Sequence, residues 1–365
     1  MAAGLYGARE EFTAPMDEFF GRLGTTGARL RSAWLRPAPN PELDESAVAQ
    51  PLLLAVGHAL GRAVGTAAEP PALLLGHSVG ELAAACLVGV FDPADIGALA
   101  AARSRALEGT GHGGMLAVAA TEGQLAEELG GFGDGSAVRA DGVAVRADEV
   151  AVGANGVAVA EVADGATFGT AFAGVAVAAL NGPRQTVLAG PREALAAVEQ
   201  HLRDRGILVR ALRSGHAFHS PVMAGAALRF GEALAGFGPR VPRAAAGTVV
   251  STRTGVAVTE DQARDPHFWG GQLAAPVRYW PALRELLDTL GRRPGLLLLD
   301  GSADRSLSAP ARHHPAVRDG ASEVVPLLAA LGRDAGGPAD ARVFAEALHR
   351  LGEQRDHTGD HTVVS

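Results

Sequence analysis

Ser78 stands between two glycines at the end of an apolar run. Residues 72 to 87 read ALLLGHSVGELAAACL. The run ending at Leu75 predicts a buried strand, Gly76-His77-Ser78-Val79-Gly80 a tight turn, and Val79 to Val88 a helix. Strand, glycine-flanked turn and helix together make a nucleophile elbow. Such a turn lifts the serine hydroxyl clear of the sheet. It also aims the helix N-terminus and the Val79 N–H at a developing oxyanion. A side chain at Gly76 or at Gly80 is expected to clash with neighbouring backbone. A nucleophilic serine needs a base. Residues 214 to 223, SGHAFHSPVM, place His216 and His219 three apart between an apolar strand and a proline-started helix. As a metal pair they lack a third ligand nearby. His216 alone reads most simply as a structural histidine.

The elements that must carry these groups alternate along the chain, which predicts an α/β fold. Strands are expected at 72–75, 115–119, 175–180, 186–189, 208–212, 248–251 and 296–299. Helices are expected at 51–64, 79–88, 93–108, 191–205, 221–234, 276–290 and 339–351, several opening on proline as suits a first helical turn. Residues 137 to 157 hold three near-copies of a heptad, AVRADGV, AVRADEV and AVGANGV, and a decayed fourth copy runs to Gly165. With Gly or Asp every few residues and nothing larger than Val, this is no coiled coil. A flexible surface insertion is the favoured reading and a short β-hairpin the lesser one. The polar tail at 353–365 is expected to be disordered.

The 365 residues suffice for a large core, 47% hydrophobic but only 5% aromatic, hence built of Ala, Val and Leu. A net charge of −8 argues against bulk binding of nucleic acid or an anionic membrane. Every Lys/Arg position is Arg. The single cysteine, Cys86, excludes an intrachain disulfide or a cysteine-clustered zinc site and reads as a small core residue. Residues 51–64 are apolar but carry His58 and Arg62 and are too short to span a bilayer. With no charged-then-apolar leader, a cytoplasmic protein is expected.

Taken together, the motifs resemble the malonyl-CoA:acyl carrier protein transacylases, and more closely the acyltransferase domains of type I polyketide synthases. GHSVGE at 76–81 matches their nucleophile motif, and HAFHSP at 216–221 the motif of their catalytic histidine, here His219. AQP at 49–51 matches a segment whose Gln lines the site, here Gln50. Arg103 stands 25 residues after Ser78, where the family places the arginine that grips a substrate carboxylate. ALNGP at 179–183, which carries Asn181, and WGGQLAAPVRY at 269–279 also match. The resemblance covers roughly residues 1 to 350. It implies an α/β-hydrolase-like large subdomain, residues 1–112 and 202–350, with an inserted ferredoxin-like small subdomain at 113–201 that carries the repeat at 137–165. It implies Ser78 and His219 as catalytic dyad, with Arg103, Gln50, His77, Val79, Phe218, His216 and Asn181 binding substrate.

The implied activity is transfer of malonyl from CoA, through an acyl-serine, to the phosphopantetheine thiol of an acyl carrier protein in polyketide or fatty acid biosynthesis. No cofactor is implied. The partners are malonyl-CoA and a carrier protein, with no nucleic acid or membrane, and a monomer is expected. In the family HAFH accompanies malonyl, so Phe218 should crowd out a methyl branch; Val79 points the same way. Rival readings are a hydrolase, which needs Ser78 and His219 but not Arg103, and an impaired scaffold. The sequence departs from the family pattern at four places. It opens past a Phe-Pro-Gly-Gln-Gly strand, which would leave an edge beside 72–75 unpaired and remove one oxyanion donor. Ser251-Thr252 replaces Ser-Asn, whose carbonyl orients the base. Gly301-Ser302 replaces Gly-Pro, and the repeat is an unusual insertion. Glu81 is expected to serve helix-dipole and packing needs.

Overall fold

The computed structural model describes residues 1–37, 39–130, 138–140, 143–145, 168, 172–330, 337–355 and 362–364. Two sheets organise them. The larger is wholly parallel, in the order Ser322–Pro326, Leu296–Asp300, Thr362–Val364, Leu73–Leu75, Thr248–Val250. Parallel strands covered on both faces read as unbroken apolar runs, and the leucines at 73–75 and 296–299 do so. Strand alternation then divides them. Leu74, Leu297 and Leu299 pack into one core with the helices Ser46–Ala67, Val79–Val88, Ile96–Leu107 and Ala224–Ala235. Leu75, Leu296 and Leu298 face the opposite core with Tyr279, Leu283 and Leu287 of the helix Tyr279–Thr289.

The smaller sheet is antiparallel, in the order Ala176–Gly182, Gln185–Pro191, Gly113–Val118, Val209–Leu212. Helices Glu122–Glu128 and Arg192–Asp204 bury Leu125, Leu195, Val198 and Leu202 against it. Strand–helix–strand–strand–helix–strand with this order is the ferredoxin-like arrangement expected. Its last strand lies past residue 201, so the small sheet runs on to Leu212. The boundary expected at 201 leaves out a strand with no fully buried residue, which pairs with Gly113–Val118 and packs Val209 and Leu212 against the cores. The smaller sheet is tied to the segment before the helix Tyr279–Thr289 by backbone bonds from Leu180 N–H to Val277 O (2.8 Å) and from Val277 N–H to Ala178 O (2.9 Å).

Other expectations change. The tail does not stay irregular: a helix runs Pro338–Arg355, and Thr362–Val364 pairs with Leu73–Leu75 on one side and Leu296–Asp300 on the other. The strand at 73–75 is therefore flanked on both sides and presents no unpaired edge. The apolar stretch at 51–64 belongs to a 22-residue helix, Ser46–Ala67, long and apolar enough to cross a bilayer by length and composition. Eleven of its residues, among them Leu52, Leu54 and Leu60, are buried within the fold. Within the repeat, Val138–Ala140 pairs antiparallel with Val143–Val145, the hairpin form; the later copies lie outside the described residues. Cys86 is fully buried in the elbow helix, where burial pushes its thiol pKa up.

Removing residues 356–365 is expected to break the parallel sheet between Leu73–Leu75 and Leu296–Asp300. A three-residue strand paired on both sides holds several backbone bonds, so the loss should reach about 3 kcal/mol. Urea denaturation checks this; an unchanged midpoint would show that the sheet does not need the strand.

Candidate active site

Ser78 takes φ 54° and ψ −121°, a conformation L residues avoid. The elbow can turn this sharply because residue 76 is glycine: a Cβ there would come within 2.2 Å of the Gly80 carbonyl carbon and of the Glu81 nitrogen. Gly80 is different. A Cβ there meets nothing within 4 Å, because it would face an apolar cavity of about 500 Å³ beside the elbow helix. The expected clash holds at Gly76 only. Past the turn, Gly80 N–H bonds His77 O and Glu81 N–H bonds Ser78 O. As first residue of the helix, Val79 has no intrahelical acceptor for its N–H.

Ser78 Oγ lies 2.7 Å from His219 Nε2. Which ring nitrogen carries the proton follows from the other side of the imidazole. His219 Nδ1 is 2.9 Å from Gln272 O and 3.0 Å from Ala275 O. Carbonyls only accept, so Nδ1 holds the hydrogen and Nε2 is left to accept the serine proton. His219 also has a positive φ, 61°, held by its N–H bond to Leu273 O at 2.8 Å. The carbonyls that orient the base thus come from residues 272 and 275, not from the Ser251-Thr252 segment. Thr252 instead turns its N–H to Glu81 Oε1 (3.0 Å). Gly301-Ser302 is fastened differently: Ser302 N–H and Oγ both bond Asp300.

Arg103 is 3% exposed and projects from the helix Ile96–Leu107. Its Nη1 donates to Gln50 Oε1 at 2.7 Å, its guanidinium lies 5.7 Å from the centre of the Phe218 ring, and its Nε has no partner. Among the described residues no carboxylate pairs with it. Burial lowers its pKa to about 10. Gln50 therefore steadies the arginine. His77 and Asn181 join each other, Nε2 to Oδ1 at 2.8 Å, and link the elbow to the small sheet. His216 is half-buried, lies tilted against Phe218 with ring centres 5.3 Å apart and bonds Thr110 Oγ1 through Nδ1. Its pKa is lowered, first by burial and then by His112 and Arg103. Of the expected residues, Ser78, His219, Phe218, His216, Arg103 and Gln50 form one run of contacts with Val79 next to Ser78, and His77 and Asn181 form a pair of their own. Three others were missed as parts of the site: Thr110, Gln272 and Ala275.

A hydroxyl bonded to the acceptor nitrogen of a neutral imidazole, on a strand–turn–helix elbow beside a buried cation, is an arrangement that can carry out serine acyl transfer. The chain belongs to the acyl transferase domain family, whose model matches residues 1–131 and 136–292. It is 34% identical over 249 residues to the spectinabilin polyketide synthase system protein NorB of Streptomyces orinoci, covering 67% of this chain and 9% of that protein. It is 33% identical over 250 residues to the polyketide synthase GfsB of Streptomyces halstedii, covering 68% of this chain and 4% of that one. The chain thus spans a small part of the curated relatives it matches. Among solved structures, the acyltransferase domain from the second module of the salinomycin polyketide synthase superposes with TM-score 0.69 at 28% identity, over 94% of this chain and 68% of that one. The malonyl CoA-acyl carrier protein transacylase of Coxiella burnetii shares the fold, TM-score 0.68 at 21% identity, over 96% and 93%.

Burial lowers the His219 pKa to about 3, with His77 and Arg103 acting the same way against its two carbonyls. A lowered pKa keeps the base neutral as pH falls. The rate of Ser78 acylation should therefore hold nearly level from pH 8 to pH 5. An imidazole of ordinary pKa would lose about thirtyfold over that span. Stopped-flow acylation across pH checks it; a tenfold fall per unit below pH 6.5 would contradict it.

Proposed function

We propose that this acyltransferase moves a malonyl group from CoA, through an ester on Ser78, to the phosphopantetheine thiol of an acyl carrier protein. The observation that carries the substrate choice is Arg103, a buried cation with no carboxylate partner among the described residues, against the ring beside His219. A buried charge left unpaired is costly, and an anionic group on the substrate relieves that cost. The guanidinium meets a carboxylate bidentately, which Lys cannot copy. A hydrolase of neutral acyl groups has no use for it.

The steps follow from the geometry. The Ser78 proton passes to His219 Nε2 as Oγ bonds the thioester carbon. The oxyanion that forms faces the Val79 N–H. Collapse breaks the C–S bond, and His219 returns the proton to the departing CoA sulfur. The carrier thiol then gives its proton to His219, its sulfur bonds the acyl carbon, and the Oγ–C bond breaks as His219 hands that proton to Oγ, which regenerates Ser78 and the neutral imidazole. Phe218, 5% exposed between His216 and Arg103, limits room at the α-carbon. A methyl branch is expected to cost about 1–3 kcal/mol there, so malonyl is preferred to methylmalonyl.

Arg103→Ala should lower kcat/KM for malonyl-CoA at least about a hundredfold, near the cost of breaking a buried charge pair. It should leave acetyl-CoA turnover unchanged or improved, and Arg103→Lys should recover little. Steady-state kinetics with both thioesters and a carrier protein check this. A wild type that prefers acetyl-CoA, or that releases free acid faster than it loads the carrier, would overturn the reading.

A further inference from the structure

Glu81 is 2% exposed in the first turn of the elbow helix, three residues after Ser78. Its carboxylate bonds the Ser251 side chain and answers two further donors, one on each oxygen. Oε1 accepts from Thr252 N–H at 3.0 Å, and Oε2 accepts from Gln272 Nε2 at 2.7 Å. Gln272 is itself buried, and its backbone carbonyl is one of the two that accept from His219 Nδ1. One carboxylate thus joins the turn that bears Ser78 to the loop that orients His219. A packing role would be met by an apolar side chain, and a helix-dipole role would not require reach to residue 272. Only an acceptor on both atoms suits the position. A glutamine at 81 that accepts from Thr252 N–H turns its NH₂ to Gln272, whose amide must then turn over to offer its oxygen, so a charge-assisted bond becomes a neutral one.

We propose that Glu81 is a positioning residue: by clamping Gln272 it holds the imidazole of His219 in the tautomer and orientation that receive the Ser78 proton. The proposal rests on reading Ser78 and His219 as nucleophile and base. The clamp is a hydrogen-bond polarity that can be reversed. In Glu81→Gln with Gln272→Glu, the amide introduced at position 81 accepts from Thr252 N–H through its carbonyl. It donates its NH₂ to the carboxylate introduced at position 272, so both contacts return.

The experiment compares wild type, Glu81→Gln, Gln272→Glu and the double variant by two readouts. One is the single-turnover rate of Ser78 acylation by malonyl-CoA, with binding of malonyl-CoA measured separately. The other is the His219 Nδ1 proton resonance in protein with ¹⁵N-labelled histidine, identified by its loss in His219→Gln. Each single variant should slow acylation by about tenfold or more with binding little changed, and move the resonance. The double variant should recover to within about threefold of wild type and restore the resonance. The proposal is overturned if Glu81→Gln acylates at the wild-type rate with the resonance unmoved, or if the double variant is no better than the worse single one. Should wild type take no malonyl on Ser78, the acyl-transfer reading fails, and the resonances of the four proteins still decide whether Glu81 positions His219.

Discussion

Everything in the large sheet and its loops serves one bond, the 2.7 Å contact between Ser78 Oγ and His219 Nε2, made by residues 141 apart. Both residues are held at positive φ, at about 1–3 kcal/mol each. Such strain persists only where the surroundings overdetermine it. For Ser78 they are the buried leucine strand before it, the helix after it and the bare Cα of Gly76 between them. For His219 they are three carbonyls of one loop, from Gln272, Leu273 and Ala275, which grip the backbone once and the ring twice. The bond is therefore preorganised, and substrate does not have to assemble it.

Charge supplies the second half of the design. The imidazole is kept neutral by burial, by His77 and by Arg103, and among the described residues Arg103 has no anionic partner. A matched salt bridge at Arg103 would stabilise the empty protein and close the site. Among the described residues Gln50 and the face of Phe218 hold the cation, and on the proposed reading the ligand supplies the anion. On the proposed reading, selectivity for a carboxylate and readiness of the base share one physical origin, the burial of Arg103, Phe218 and His219.

The sequence made the elbow legible because its signals are local. An unbroken leucine run, a Gly-x-Ser-x-Gly and an alanine-rich helix need no partner to be recognised, and the helix at 79–88 stands where it was expected. His219, Arg103 and Gln50 were legible through motif order rather than through local pattern. What failed was nonlocal. The carbonyls of Gln272 and Ala275 carry no side-chain signature, since any residue offers a carbonyl. Glu81 reads as an ordinary first-turn acid until Gln272 is brought to it from 191 residues away. Thr362–Val364 is three residues in a polar tail, and only the slot between two parallel strands makes it a strand. Ser322–Pro326 was missed as a strand because it pairs on one side only, at the edge of the sheet, and starts on polar residues.

The central claim is that Ser78 carries the acyl group between donor and acceptor. The most direct measurement is peptide mass mapping after a brief exposure to malonyl-CoA without a carrier protein. The account predicts one malonyl ester, on the peptide that contains Ser78, absent from Ser78→Ala and discharged when carrier protein is added. A malonyl group on any other residue, or equal labelling of the Ser78→Ala variant, would contradict it.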